Sequence, residues 1–152
     1  MNGGMSTELW PALRVADWAD TRDTLHMWTQ IVGKIRMASE PMINHWWQVP
    51  LYVSARGLTT SSMPYAQGAF DMEFDFVEHR LDLRASTGGQ RSVPLASRPV
   101  ADFYAETMAA LRELGVDVAI RPIPSEVVHA IPFAQDTEHA SYDAAAVRLS
   151  RS

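Results

Sequence analysis

The sequence predicts an α+β fold: an antiparallel sheet of four to five strands with two main helices packed on one face. Three observations carry that expectation. Trp18, Thr21, Leu25, Trp28, Val32 and Ile35 recur at spacings of three and four, the stripe of an amphipathic helix. Phe70, Met72, Phe74 and Phe76 alternate with Asp71, Glu73 and Asp75, and Leu81 and Leu83 alternate with Arg80, Asp82 and Arg84, as in two strands joined by a short turn. Val100, Phe103, Tyr104, Thr107, Leu111 and Leu114 form a second helical stripe, which Gly115 is placed to end. Hairpin-linked strands between helices belong to the α+β class.

In chain order, residues 1–9 read as a flexible N-terminus, 10–147 as a single domain and 148–152 as a C-terminal tail. The first helix is predicted to start at Asp17, a good N-cap, and to end at Glu40-Pro41, because a residue before proline is pushed out of the α region. Met42 to Gln48 is an aromatic connector. Val49 to Arg56 alternates and predicts a strand, with Gly57 marking a bulge or bend before Leu58-Thr59-Thr60. Ser61 to Gly68 reads as a turn-rich loop. The strand Phe70–Phe76 turns at Glu78-His79 into the return strand His79–Ala85, whose Arg-bearing face suits the acidic face opposite. Thr87-Gly88-Gly89 leads into a third strand of this meander, Gln90 to Leu95. Ser97 is predicted to cap the second helix, with Pro99 in its first turn. Val116 to Arg121 reads as a further strand, Pro122, Pro124 and Pro132 hold the chain extended, and Tyr142 to Val147 begins a third helix.

Composition narrows the function classes. A chain of 152 residues is long enough to bury a real core as one domain. Its net charge of −5 argues against a generic nucleic-acid binder, which needs clustered cations for phosphate. The absence of Cys excludes disulfides, thiolate metal sites and Cys nucleophiles. No basic-then-apolar leader is seen near the start, and no apolar run reaches the roughly 20 residues that span a bilayer, so the expected location is cytoplasmic, with no membrane partner.

The chemistry-bearing residues concentrate between Thr24 and Trp47, which holds the chain's one lysine, Lys34. Arg22, His26, Gln30, Gly33 and Met37, with Lys34 beside them, make a polar stripe away from the apolar one; such a stripe is either a solvated face or the wall of a cleft. Gly33 favours a close approach, since mid-helix Gly costs about 1 kcal/mol against Ala. Asn44, His45, Trp46 and Trp47 follow on the connector, and two adjacent Trp cannot both enter one core from an extended segment. Tyr52 and Arg56 lie on the polar face of the next strand, where Arg56 is either an anion clamp or half of a cross-strand salt bridge. Tyr65 lies in the loop beyond. No His pair has the H-x₃-H spacing of a metal site, and no glycine-rich phosphate loop or nucleophile elbow is present, so no metal is expected and no cofactor is assigned.

The stretches Leu25–Tyr65, Phe70–Leu83, Arg98–Ile120 and Asp136–Asp143 (DTEHASYD) together resemble an uncharacterised bacterial family, the DUF5996 domain proteins. The resemblance covers about Trp10 to Val147 and implies no activity. It does imply that members run to about twice this length, so the chain reads as an N-terminal half.

The expected function is binding of a small polar or anionic molecule in an aromatic-lined cleft beside the first helix. Gln30, Lys34, Asn44, Trp46, Trp47, Tyr52, Arg56 and Tyr65 are the ligand contacts in this reading, and His26 or His45 the acid/base if chemistry occurs. The alternative is a non-catalytic interaction or self-association module. A homodimer is expected in either case, through the Met27–Gly33–Met37 side of the helix, the exposed Trp of the connector, or the Pro-rich tail.

Overall fold

The computed structural model describes residues 15–39, 51–125, 130–145 and 147. Helix α1 runs Val15–Ser39, so Asp17 lies in its first turn instead of capping it. The strands are β1 (Tyr52–Val53), β2 (Gly57–Thr59), β3 (Met63–Tyr65), β4 (Gly68–Asp75), β5 (Arg80–Ala85) and β6 (Gln90–Pro94), followed by helix α2 (Val100–Glu113) and a single 3-10 turn, Phe133–Gln135. All pairings are antiparallel in the order β1-β2-β4-β5-β6, with β3 also on β4. Among the described residues the sheet therefore has six strands, one more than expected.

The additional strand is β3, from the stretch read as a loop. β2 and β3 are two halves of one interrupted strand: β2 pairs with the Glu73–Asp75 end of β4 and β3 with its Gly68–Phe70 end. Between them the chain kinks at Ser61, whose φ is +58°. Thr60 carries the ladder across the kink. Its N–H donates to the Met72 carbonyl, and its hydroxyl accepts from the Met72 N–H and donates to the Ser61 carbonyl. Pro64 is tolerated because β3 pairs on one side only.

Gly57 is the bend the sequence announces, for a steric reason. A Cβ there would stand 1.9 Å from the Phe74 carbonyl oxygen. Ser54 closes the turn, its N–H donating to the Gly57 carbonyl and its hydroxyl accepting from the Gly57 N–H. β1 is consequently short, and it does not bury the face that alternation suggested: Val53 is 87% exposed. Among the described residues β1 is an edge strand of the sheet, paired with β2 alone.

Both helices pack on the face that carries Phe74. Trp28 of α1 stacks on Phe103 of α2 at 4.9 Å between ring centroids, and Phe103 stacks on Phe74 at 6.3 Å. Ile31, Val32 and Ile35 of α1, Met72, Leu81 and Leu83 of the sheet, and Val100 and Leu111 of α2 complete a core that excludes water. Met27, expected on the polar side of α1, is in this core, whereas Met37 is exposed.

The opposite sheet face carries the charges. Arg84 donates to Asp71 and Glu73 at 3.0 Å each, Arg80 reaches Asp82 at 2.9 Å, and Arg56 donates to Asp75 at 2.6 Å. Glu73 stands directly opposite Asp82, so these arginines also screen a like-charge pair. Asp75 organises the β4–β5 turn as well, accepting from the N–H groups of Val77 and Glu78. His79 completes that turn in the left-handed region, at φ +55°.

Two further expectations need correction. Ser97 does not cap α2; Pro99 stands at the N-cap. The first N–H groups of the helix, those of Val100 and Ala101, donate instead to the carbonyls of His139 and Asp136. The Ser97 hydroxyl is taken by Tyr142, donating to its carbonyl and accepting from its N–H. Val116 to Arg121 forms no strand. Its partners explain why: the Val116 N–H closes the end of α2 on Leu111, and Ser125 further on draws its backbone hydrogen bonds from the side chain of Gln30. Of the predicted helix from Tyr142 to Val147, Ala144, Ala145 and Val147 are helical, and the Val147 N–H donates to the Asp143 carbonyl. Among the described residues no helix is long and apolar enough to cross a membrane.

Candidate functional site

A cleft of about 760 Å³ opens between α1, the β1–β2 edge and the extended segment after α2. Its helical wall is His26, Thr29, Gln30, Gly33, Lys34, Met37 and Ala38, at the three- and four-residue spacings that put side chains on one helix face. Leu51 and Leu58 form the sheet-side wall, and Ala119, Ile120, Arg121 and Ser125 the third. The polar stripe of α1 is thus the wall of a cleft.

The third wall is tied to the first by a compact hydrogen-bond set. The Gln30 amide pairs with the backbone of Ser125 as a strand neighbour would: its Oε1 accepts from the Ser125 N–H at 2.9 Å and its Nε2 donates to the Ser125 carbonyl at 3.0 Å. This reciprocal pair fixes which end of the amide is which. The second Nε2 hydrogen is left for His26 Nε2, 3.1 Å away, a contact that the tautomer with its proton on Nδ1 can accept. Lys34 Nζ donates to Ser125 Oγ at 2.8 Å.

The electrostatics are one-sided. Among the described residues no carboxylate lines the cleft, and neither Lys34 nor Arg121 forms an ion pair. Partial burial and then the nearby Arg121 charge hold the Lys34 ammonium below its ordinary lysine value. In a chain of net charge −5, this pair of cations without a counter-ion among the described residues is a local feature.

Of the predicted site residues, the structure brings His26, Gln30 and Lys34 together in this cleft. Tyr52 does not line it: its hydroxyl accepts from Arg36 at 3.2 Å and its ring lies under the Arg36 guanidinium. Arg56 is engaged by Asp75 and Glu78 on the outer sheet face, the salt-bridge alternative of its reading. Tyr65 packs edge-on against Phe70, its hydroxyl 3.4 Å from that of Thr87. Asn44, His45, Trp46 and Trp47 lie outside the described residues. The described lining carries no Phe, Tyr or Trp; its larger apolar side chains are Met37, Leu51, Leu58 and Ile120.

Arg121 and Ser125 are the contributions that sequence reasoning missed. A signal was present: two prolines two residues apart, Pro122 and Pro124, hold a cation and a hydroxyl on an extended segment that has no acidic residue between them.

The remaining polar motif, Asp136 to Asp143, has structural partners. Buried Asp136 accepts from the N–H groups of Glu138 and His139 and pairs with His139 Nδ1 at 2.7 Å. Tyr142 meets His79 Nδ1 at 2.7 Å, and the N–H groups of Ser141 and Asp143 donate to Thr24 and Thr21 of α1. The motif therefore pins the C-terminal segment across both helices. Among the described residues no group of three or more His, Asp and Glu is disposed to hold a metal ion.

A family model described as a family of unknown function (DUF5996) matches residues 10–151. No curated protein and no solved structure matches the chain.

Proposed function

The chain belongs to this family of unknown function, and from that premise we propose that it binds a small anionic molecule with an apolar portion in the cleft beside α1. The observation that carries the reading is the pairing of Lys34 with Arg121 in a cleft whose described lining has no carboxylate. Two cations held near each other repel, and an anion between them relieves that repulsion while gaining charge-assisted hydrogen bonds. Met37, Leu51, Leu58 and Ile120 supply apolar contact for the rest of the ligand. His26 stands on the same wall, within hydrogen-bond reach of the Gln30 amide, and an imidazole there is a suitable group for proton transfer to a bound molecule.

A thermal-shift panel tests this. Carboxylates and phosphates should raise the midpoint of unfolding, and amines of equal size should not, because only ligands that bind the folded chain stabilise it. Stabilisation by amines equal to that by anions, or by no compound at all, would remove the basis for the reading.

A second reading, self-association, is supported by a different observation. Tyr52 and Val53 lie exposed on the edge strand β1, and Met37 is exposed on α1. Unpaired edges with apolar side chains favour pairing with another chain, and a homodimer is the simplest result.

A further inference from the structure

Resting on the anion-binding reading above, we infer that the ligands of this cleft are α-keto acids, with the carboxylate held by Arg121 and the carbonyl carbon presented to Lys34 Nζ, which joins it as an imine. Arginine grips a carboxylate through two parallel N–H donors, a geometry that lysine lacks. Lysine has what arginine lacks, a nitrogen that can become a nucleophile. A lysine beside another cation, and partly withdrawn from water, is the environment in which the neutral amine becomes accessible near neutral pH.

The cleft meets those conditions. Lys34 is partly buried, its ammonium is disfavoured by burial and by Arg121, and no described carboxylate is there to restore the charge. Its nitrogen is also held in place: it donates to Ser125 Oγ, and Ser125 is fixed on both sides of its backbone by Gln30. Gln30 and Ser125 are thus positioning residues, and the apolar wall of Met37, Leu51, Leu58 and Ile120 takes the tail of the acid.

The step balances without any oxidant or reductant. The Lys34 ammonium gives one proton to solvent, and the freed electron pair forms the C–N bond. The carbonyl C–O bond then breaks, and its oxygen leaves as water. That water carries one proton from the nitrogen and one returned by solvent, and a protonated imine remains.

Lys34 is the only lysine in the chain, which makes the test specific. The protein is incubated with phenylpyruvate and cyanoborohydride, which reduces an imine to a stable amine, and the adduct is located by peptide mapping, apart from any at the chain's α-amino terminus. The expected result is saturable labelling of Lys34, blocked by phenyllactate, which has the carboxylate without the carbonyl. Arg121→Ala should lower the labelling about tenfold, the factor that corresponds to losing one charge-assisted contact. Labelling by phenylacetaldehyde, which lacks the carboxylate, should fall by a smaller factor, because there Arg121 acts only through its charge on the Lys34 nitrogen. Labelling of Lys34 that is no faster than that of free N-acetyl-lysine, or that ignores Arg121, overturns the inference. Calorimetry with phenyllactate separates the two layers. Binding that depends on Arg121 without any Lys34 adduct leaves the anion site standing and removes the imine; no binding and no adduct removes both.

Discussion

Asp75 shows how much one side chain can organise. Burial pushes its carboxyl up, but the Arg56 hydrogen bond, the N–H groups of Glu78 and Val77 and the Arg56 charge outweigh burial and hold it below its ordinary value. A carboxyl depressed in the folded state contributes stability that is fully present above the unfolded carboxylate value, about 3.9. That contribution is lost as pH falls through the lower folded value. Asp75→Asn should therefore cost about 1.5–3 kcal/mol at neutral pH, the range for hydrogen bonds to a charged group. It should also flatten the acid limb of the stability curve below about pH 4. Denaturant titrations of both proteins from pH 2 to 7 check this; parallel curves would show that Asp75 has no such role. Single residues also mark the limits of sequence reading. The strand position of Arg56 left an anion clamp and a salt bridge both open, and the helical stripe that carries Lys34 left a solvated face and a cleft wall both open; only tertiary contacts separate the alternatives. Arg121 was not legible as a cleft residue, because its partner surface lies far away in the chain, on α1.

At the scale of elements, period decided most of the outcome. The three- and four-residue stripes gave α1 and α2, and strict alternation gave β4 and β5 with the predicted inner face. Phe74 belongs to that face and is fully buried, stacked against Phe76 and Phe103. Phe74→Ala should cost about 3–5 kcal/mol, the usual loss for a core Phe, and chemical denaturation reads it directly. A midpoint close to that of the unaltered protein would mean the inner face is misassigned. Short elements escaped the period argument. β3 has three residues, too few for alternation to stand out, and its ladder continues through the side chain of Thr60. Val116 to Arg121 alternates like a strand yet forms none, because alternation reports a half-buried extended chain whether or not a strand stands beside it. The Ser97 cap failed for a related reason: capping preference is local, whereas the groups that satisfy α2 come from residues 136 and 139.

For the whole molecule, the organising fact is that an acidic chain segregates its charges. The outer sheet face pairs Arg56, Arg80 and Arg84 with carboxylates, while Lys34 and Arg121 are left together across the cleft from each other's walls. If the exposed β1 edge, with Val53 and Tyr52, mediates self-association, light scattering at micromolar concentration should give twice the 16.9 kDa chain mass. A clean monomer mass would show that the edge is tolerated in water. The cleft reading is tested most directly by titration calorimetry of phenyllactate into the unaltered chain and into the Lys34→Ala, Arg121→Ala double variant. The account predicts saturable binding that weakens as salt is raised, and a loss of about 3 kcal/mol, roughly a hundredfold in Kd, in the double variant. Equal affinity in the two proteins would contradict it.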